Sequence, residues 1–182
     1  MKFFIIFFII INLFDSGLKA SEETIEKLKA GKKIVFIRHA LAPGGGDPEN
    51  FDLKKCKTQR NLNIEGISQS KNLGNFFEKN KIEIDKVLSS EWCRCKDTAK
   101  FAFKNYETFD GLNSFFSDKF RKNKKQQITK LLDYLENWNE SGNLILITHY
   151  VVILEIMDKS ASSGEIIVAD KNLNYIGSIS EY

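Results

Sequence analysis

Short apolar runs constrain this chain more than any other feature. Lys33-Ile34-Val35-Phe36-Ile37 and Leu144-Ile145-Leu146-Ile147 are nearly continuous in apolar residues, and each stops at a polar boundary. Runs of this length are too short for helices. They lack the alternation of a half-solvated strand, so they read as strands buried on both faces. Asp85–Ser89 reads as a further strand, and Glu165–Ala169 and Leu173–Ile179 as two late ones. Between them lie helical patterns. Asn63 is placed to cap a helix from Ile64 to Asn80, with Glu65 in its first turn. A helix over Cys93–Phe103 follows. Ile128, Leu131, Leu132, Leu135 and Trp138 recur at helical spacing and give an amphipathic helix over Lys124–Asn139. Val151–Met157 is a short helix. Strands alternating with helices imply an α/β fold with a mostly parallel sheet covered on both faces.

In such sheets the ligand sits beyond the carboxyl ends of the strands. The chain has two histidines, and both fall there: His39 follows the first strand and His149 the strand ending at Ile147-Thr148. Arg38 adjoins His39. Ser89-Ser90 ends another strand, with Arg94 just beyond. A pair of core histidines flanked by surface arginines is the alternative reading, but it does not explain why both imidazoles stand at strand ends. A phosphoryl group needs fixed positive charge, which a planar guanidinium supplies through two parallel hydrogen bonds. A neutral imidazole can attack phosphorus and carry it covalently. A second imidazole can stabilise the oxygens of the transition state.

The residues around these positions extend the pattern. Phe36-Ile37-Arg38-His39-Ala40 resembles the Arg-His-Gly/Ala signature of the histidine phosphatase (phosphoglycerate mutase-like) superfamily. Asn61–Ser70 is similar to its Leu-Thr-x-x-Gly-x-x-Gln-Ala helix start. Ser89–Ala99 resembles Ser-Ser-Pro-x-x-Arg-Ala-x-x-Thr-Ala, and Leu146-Ile147-Thr148-His149-Tyr150 resembles the second-histidine motif. The four stand in the family's order, from about Lys33 to Ala169. The resemblance implies a three-layer α/β/α sandwich and no metal or cofactor. It implies His39 as the phosphorylated nucleophile, Arg38 and Arg94 as phosphate-binding arginines, and His149 as the second pocket histidine. Arg60, just before the second motif, is either a further substrate contact or a surface arginine.

The sequence departs from the family in places. Leu112-Asn113-Ser114-Phe115-Phe116 carries Ser where a Leu-x-Glu segment would supply the general acid. Asp47 and Asp118 are the candidates in its place, and a turn or capping carboxylate is the structural alternative for each. Glu91 replaces a proline, and Ala40 a glycine. The loop Ala42–Pro48 is rich in glycine but is not followed by Lys-Ser/Thr, so it is not a nucleotide-binding P-loop. Its glycines either let backbone approach the site or simply make turns. The missing Glu also admits a catalytically inactive, phosphate-ester-binding protein as a second reading.

The remaining features bound the setting. Residues 1–20 combine Lys2, an apolar run from Phe3 to Phe14 and small residues before Ala20. That is the pattern of a cleaved signal peptide; an uncleaved membrane anchor is the alternative, against which the run is shorter than the ~20 apolar residues of a spanning helix. The expected organisation is a leader over 1–20 and one domain over 21–182, exported to a periplasmic or extracellular space without a stable membrane span. A cytosolic mutase fits such a leader poorly. Export permits disulfides. Of Cys56, Cys93 and Cys95, the last two are too close to pair easily, so Cys56 is expected to bond one of them. No histidine or fourth cysteine stands at zinc-ligand spacing. The net charge of +3 and the lack of a basic run interleaved with aromatics point away from nucleic acid, and the resemblance implies a small phosphorylated substrate. Arg121–Lys125, the densest basic stretch, reads as a solvated helix face. The residues carry no sign of oligomeric state.

Overall fold

The structure, a computed structural model, describes residues 22–182. The expected leader over 1–20 and its cleavage point lie outside the described residues. A helix over 22–29 (α1) leads into β1 (Ile34–Arg38), and α2 (Ile64–Lys79) into β2 (Ile84–Ser89). Then come α3 (Cys93–Phe103), the short β3 (Glu107–Thr108), α4 (Asp118–Arg121) and α5 (Lys124–Asn137). β4 (Asn143–Thr148), α6 (Tyr150–Met157), β5 (Ile166–Ala169) and β6 (Tyr175–Ile179) complete it. The six strands form one sheet in the order β3-β2-β4-β1-β5-β6. β3, β2, β4 and β1 are parallel, whereas β5 runs antiparallel to both β1 and β6.

The apolar runs build the layers through the two-residue period of a strand. Val35 and Ile37 of β1 and Ile145 and Ile147 of β4 face one way, against Leu73, Phe76 and Phe77 of α2 and Cys95 and Ala99 of α3. Ile34, Phe36, Leu144 and Leu146 face the other way, against Leu131 and Leu135 of α5 and Val152, Ile153 and Met157 of α6. Both sides are dry, so the strands needed apolar residues at every position. Truncating one of these fully buried leucines to alanine costs about 2–5 kcal/mol. The result is the three-layer α/β/α sandwich expected from the sequence.

The Asn63 cap forms as expected, its side chain accepting from the Gly66 amide at 2.9 Å. Two boundaries differ by more than one residue. α5 ends at Asn137, because Trp138 turns extended and buries its ring. β6 starts at Tyr175 because Asp170 accepts from the amides of Asn172 and Asn174 and holds that segment as a turn. α1, β3 and α4 were not legible as elements, and the antiparallel β5 was not distinguishable from a parallel strand.

Sheet register sets the site. β1 and β4 pair with Arg38 opposite Thr148. The His39 amide donates to Thr148 O at 2.9 Å, and the Ser90 amide to Ile147 O at 2.9 Å. Three adjacent parallel strands therefore end side by side in Ser90, His149 and His39.

Candidate active site

Each histidine leaves its strand at the same edge. The rings of His39 and His149 lie 5.5 Å apart between centroids, edge to face. Both are almost fully buried, at 2% and 3% exposure. Arg94, in the first turn of α3, reaches both. Its Nε donates to His39 Nε2 at 3.1 Å, and its Nη2 to His149 Nδ1 at 3.3 Å. A guanidinium only donates, so both imidazole nitrogens facing it must accept. The proton of His39 then sits on Nδ1, which donates to Ala40 O at 2.8 Å. The proton of His149 sits on Nε2, which donates to Ser90 Oγ at 2.9 Å. Ser90 in turn donates to Asn113 Oδ1 at 3.1 Å. Burial first, and the Arg94 charge second, hold both imidazoles well below the ordinary histidine value of 6.5, so both are neutral near pH 7.

The second and third motifs explain how the loop after His39 is held. Gln69 accepts from the Leu41 amide at 3.0 Å and donates to Ser163 O at 2.7 Å. Gly66 packs so closely under the Leu41 carbonyl that a side chain there would collide with it. Thr98 accepts from the Ala40 amide at 3.0 Å and donates back to Arg94 O at 2.7 Å. One hydroxyl thus ties the His39 loop to the helix that carries Arg94.

The Gly-rich loop closes the other side. Gly44 and Gly46 have φ of +99° and +94°, which side chains rarely adopt, and the loop delivers Asp47 to the site. Asp47 pairs with Arg94 Nη1 at 2.8 Å, and it also accepts from the Arg60 amide and from Trp92 Nε1, both at 3.0 Å. Arg60 donates through Nη1 to Ala42 O, and Arg38 through Nη1 to Ala161 O at 2.8 Å. Among the described residues no hydrogen-bond partner reaches the buried Nε atoms of Arg38 and Arg60. Unsatisfied buried guanidinium donors are costly, and an anion would satisfy them. The N-terminal ends of α3 and α6 open onto the same cavity of about 640 Å³, lined by Arg38, His39, Arg60, Arg94 and His149.

Arg38, His39, Arg60, Arg94, His149 and Asp47 are thus brought together. Asp118 is not: it lies exposed on the outer cavity wall and pairs with Arg121 at 2.7 Å. Cys56 and Cys93 are bonded, with Cα atoms 5.6 Å apart, which settles the pairing left open by the sequence. Cys95 is free and buried, its thiol 3.5 Å from His149 Nε2. Burial pushes that thiol up to about 12, so it stays protonated. Arg121, Lys122 and Lys125 are exposed, as a solvated face requires, and Arg121 also lines the cavity, as does Lys119. Sequence reasoning missed Asn113, Trp92 and Tyr150. For Tyr150 the signal was its place directly after His149. For Asn113 there was none, since its partners Ser90 and Glu91 lie 23 and 22 residues away. Among the described residues no three His, Cys, Asp or Glu side chains cluster as a metal site, and no helix is long and apolar enough to cross a membrane.

No protein-family model and no curated protein matches the chain. Solved structures do. The protein histidine phosphatase SixA complexed with tungstate matches at TM-score 0.61 and 17% identity, over 81% of this chain and 96% of that one. Phosphoglycerate mutase from Thermus thermophilus matches at TM-score 0.56 and 12% identity, over 82% and 99%. Mycobacterial glucosyl-3-phosphoglycerate phosphatase in complex with VO3 matches at TM-score 0.54 and 11% identity, over 75% and 92%. The chain adopts the fold of the histidine phosphatase (phosphoglycerate mutase-like) superfamily.

Proposed function

We propose that the protein is a phosphatase that removes phosphate from a small phosphomonoester through a phosphohistidine intermediate on His39. One observation carries this reading: a single buried guanidinium, Arg94, donates to both His39 Nε2 and His149 Nδ1. Ala40 O fixes the His39 tautomer, so the Nε2 lone pair faces the place where Arg94 would hold a phosphoryl group. Arg38, Arg60, Arg94 and His149 surround that place with donors. A dianion entering it would draw a proton onto His149 and give the oxygens a further charged donor. These groups supply nucleophile and charge themselves, so the proposal needs no metal ion. Two fold neighbours are complexed with tungstate and with VO3, oxyanions of phosphate-like shape, which supports the same ligand class here.

We further place the protein outside the cytosol, in a periplasmic or extracellular space. The Cys56–Cys93 bond and the leader-like residues 1–20 support this. Binding of a phosphoester without turnover is the second reading, favoured by Ser114 where a carboxyl acid is expected. A binding protein has no use for an unprotonated imidazole aimed into an anion pocket. Hydrolysis of p-nitrophenyl phosphate by the wild type and by His39→Ala separates the two. The phosphatase reading requires loss of turnover in the variant; equal rates would end it.

A further inference from the structure

Past the histidines, the cavity opens along aromatic rings. Tyr150, the first residue of α6, lies under the Arg38 guanidinium, 5.5 Å from ring centroid to Cζ. The Phe116 ring is next, 5.9 Å from that of Tyr150 and tilted by 60°. Arg38, Tyr150 and Phe116 form a continuous wall from the anion pocket to the solvent. Phe116 is 51% exposed and Tyr150 36%. The Phe116 position is fixed: its amide donates to Ser114 Oγ at 3.3 Å, and its neighbour Phe115 is anchored in the core. Large rings held half-bare at the mouth of a cavity suit a flat apolar ligand group.

The carboxyl groups of the cavity point to the same chemistry. A general acid must bring a proton to the leaving oxygen. Both oxygens of Asp47 accept from donors, Arg60 N and Arg94 Nη1 on one and Trp92 Nε1 on the other, so three hydrogen bonds hold it in place as an acceptor beside Arg94. Asp118 is exposed and paired with Arg121. Glu49 is exposed on the Gly-rich loop, and no hydrogen bond or ion pair among the described residues holds it toward the histidines. Without a carboxylic acid beside the leaving oxygen an alkoxide departs with difficulty, since an alcohol ionises about as reluctantly as water. A phenol, with a pKa of about 10, departs more readily.

We propose that the site takes aryl phosphomonoesters, with the ester ring against Phe116 and Tyr150 and the oxygen leaving as phenolate. This rests on the phosphatase reading above. His39 Nε2 forms a bond to phosphorus as the phosphorus–oxygen bond to the aryl group breaks. The electron pair departs on the phenolate, which takes its proton from solvent. Water then attacks phosphorus, the nitrogen–phosphorus bond breaks with its pair returning to Nε2, and inorganic phosphate leaves with the water's proton passing to the medium.

The test is kcat/KM of the purified protein on phenyl, benzyl and ethyl phosphate. Benzyl phosphate keeps the ring but must expel an alkoxide. Phenyl should exceed benzyl at least 100-fold, and benzyl should exceed ethyl about 10-fold through ring contact. Phe116→Ala should raise KM for phenyl phosphate about 10-fold with little change in kcat, and should erase the benzyl advantage over ethyl. Equal rates on all three esters would leave a phosphatase standing and overturn this inference. A benzyl advantage undiminished in Phe116→Ala would overturn the ring subsite. Absence of turnover on all three esters would overturn the phosphatase reading itself, and this inference with it.

Discussion

The Nε of Arg94 donates to the Nε2 of His39 across 3.1 Å, and both side chains are buried. A cation donating to an imidazole nitrogen keeps that nitrogen unprotonated. It also marks the spot where an incoming anion would find both a donor and a nucleophile.

Removing this guanidinium should therefore cost binding as well as rate. Arg94→Ala loses at least one charge-assisted bond to the phosphoryl oxygens, a loss of about 1.5–3 kcal/mol. Vanadate inhibition should weaken by roughly 10- to 100-fold. Inhibition constants unchanged from the wild type would refute the assignment.

Asp47 can orient Arg94 or donate a proton, and the two roles differ in their pH signature. With both oxygens already accepting, orientation is the expected role. Asp47→Asn should raise KM and the vanadate inhibition constant together, about 10-fold, and leave the shape of the pH–rate profile intact. Loss of the basic limb with normal vanadate binding would instead identify Asp47 as the acid.

Much of this site was legible because it is written in local sequence. Arg38-His39 and Thr148-His149 end apolar strands, and parallel pairing brings such ends together. Arg94 was legible from its place just beyond Ser89-Ser90. What could not be read depends on contacts distant in sequence. Asn113 joins the site from a loop because Ser90 and the Glu91 amide both meet its side chain. Nothing in the sequence tells Phe116 from its neighbour Phe115, yet Phe115 is buried in the core and Phe116 is exposed. The choice of Cys93 over Cys95 follows from helix phase, which points the latter into the core beneath the sheet edge.

The disulfide ties the segment carrying Arg60 to the first residue of α3. It spans 37 residues, and closing a loop of that size stabilises the fold by about 4 kcal/mol on chain-entropy grounds. The variant Cys56→Ala/Cys93→Ala should lose about that amount in urea unfolding, and reductant should destabilise the wild type but not the variant. Three free thiols by mass spectrometry in exported, folded protein would contradict the bond.

Stability should also fall in acid. Burial and Arg94 hold both histidines well below 6.5 in the folded state, whereas the unfolded chain protonates them near that value. Below about pH 6.5 the unfolded state therefore binds more protons, and stability declines as pH falls. Two such groups give a limiting slope of about 2.7 kcal/mol per pH unit. Urea unfolding from pH 7 to 5 in phosphate-free buffer should show the decline, and His39→Gln/His149→Gln should flatten it. A flat wild-type profile would mean that the imidazoles are not buried neutral.

The most direct measurement is a rapid acid-free quench of the protein reacting with 32P-labelled phenyl phosphate, followed by mapping of the label. Up to one phosphoryl group per chain should appear on His39 Nε2, stable in base and labile in acid, with none trapped in His39→Ala. Turnover with no label on His39, or with label on another residue, would contradict the account.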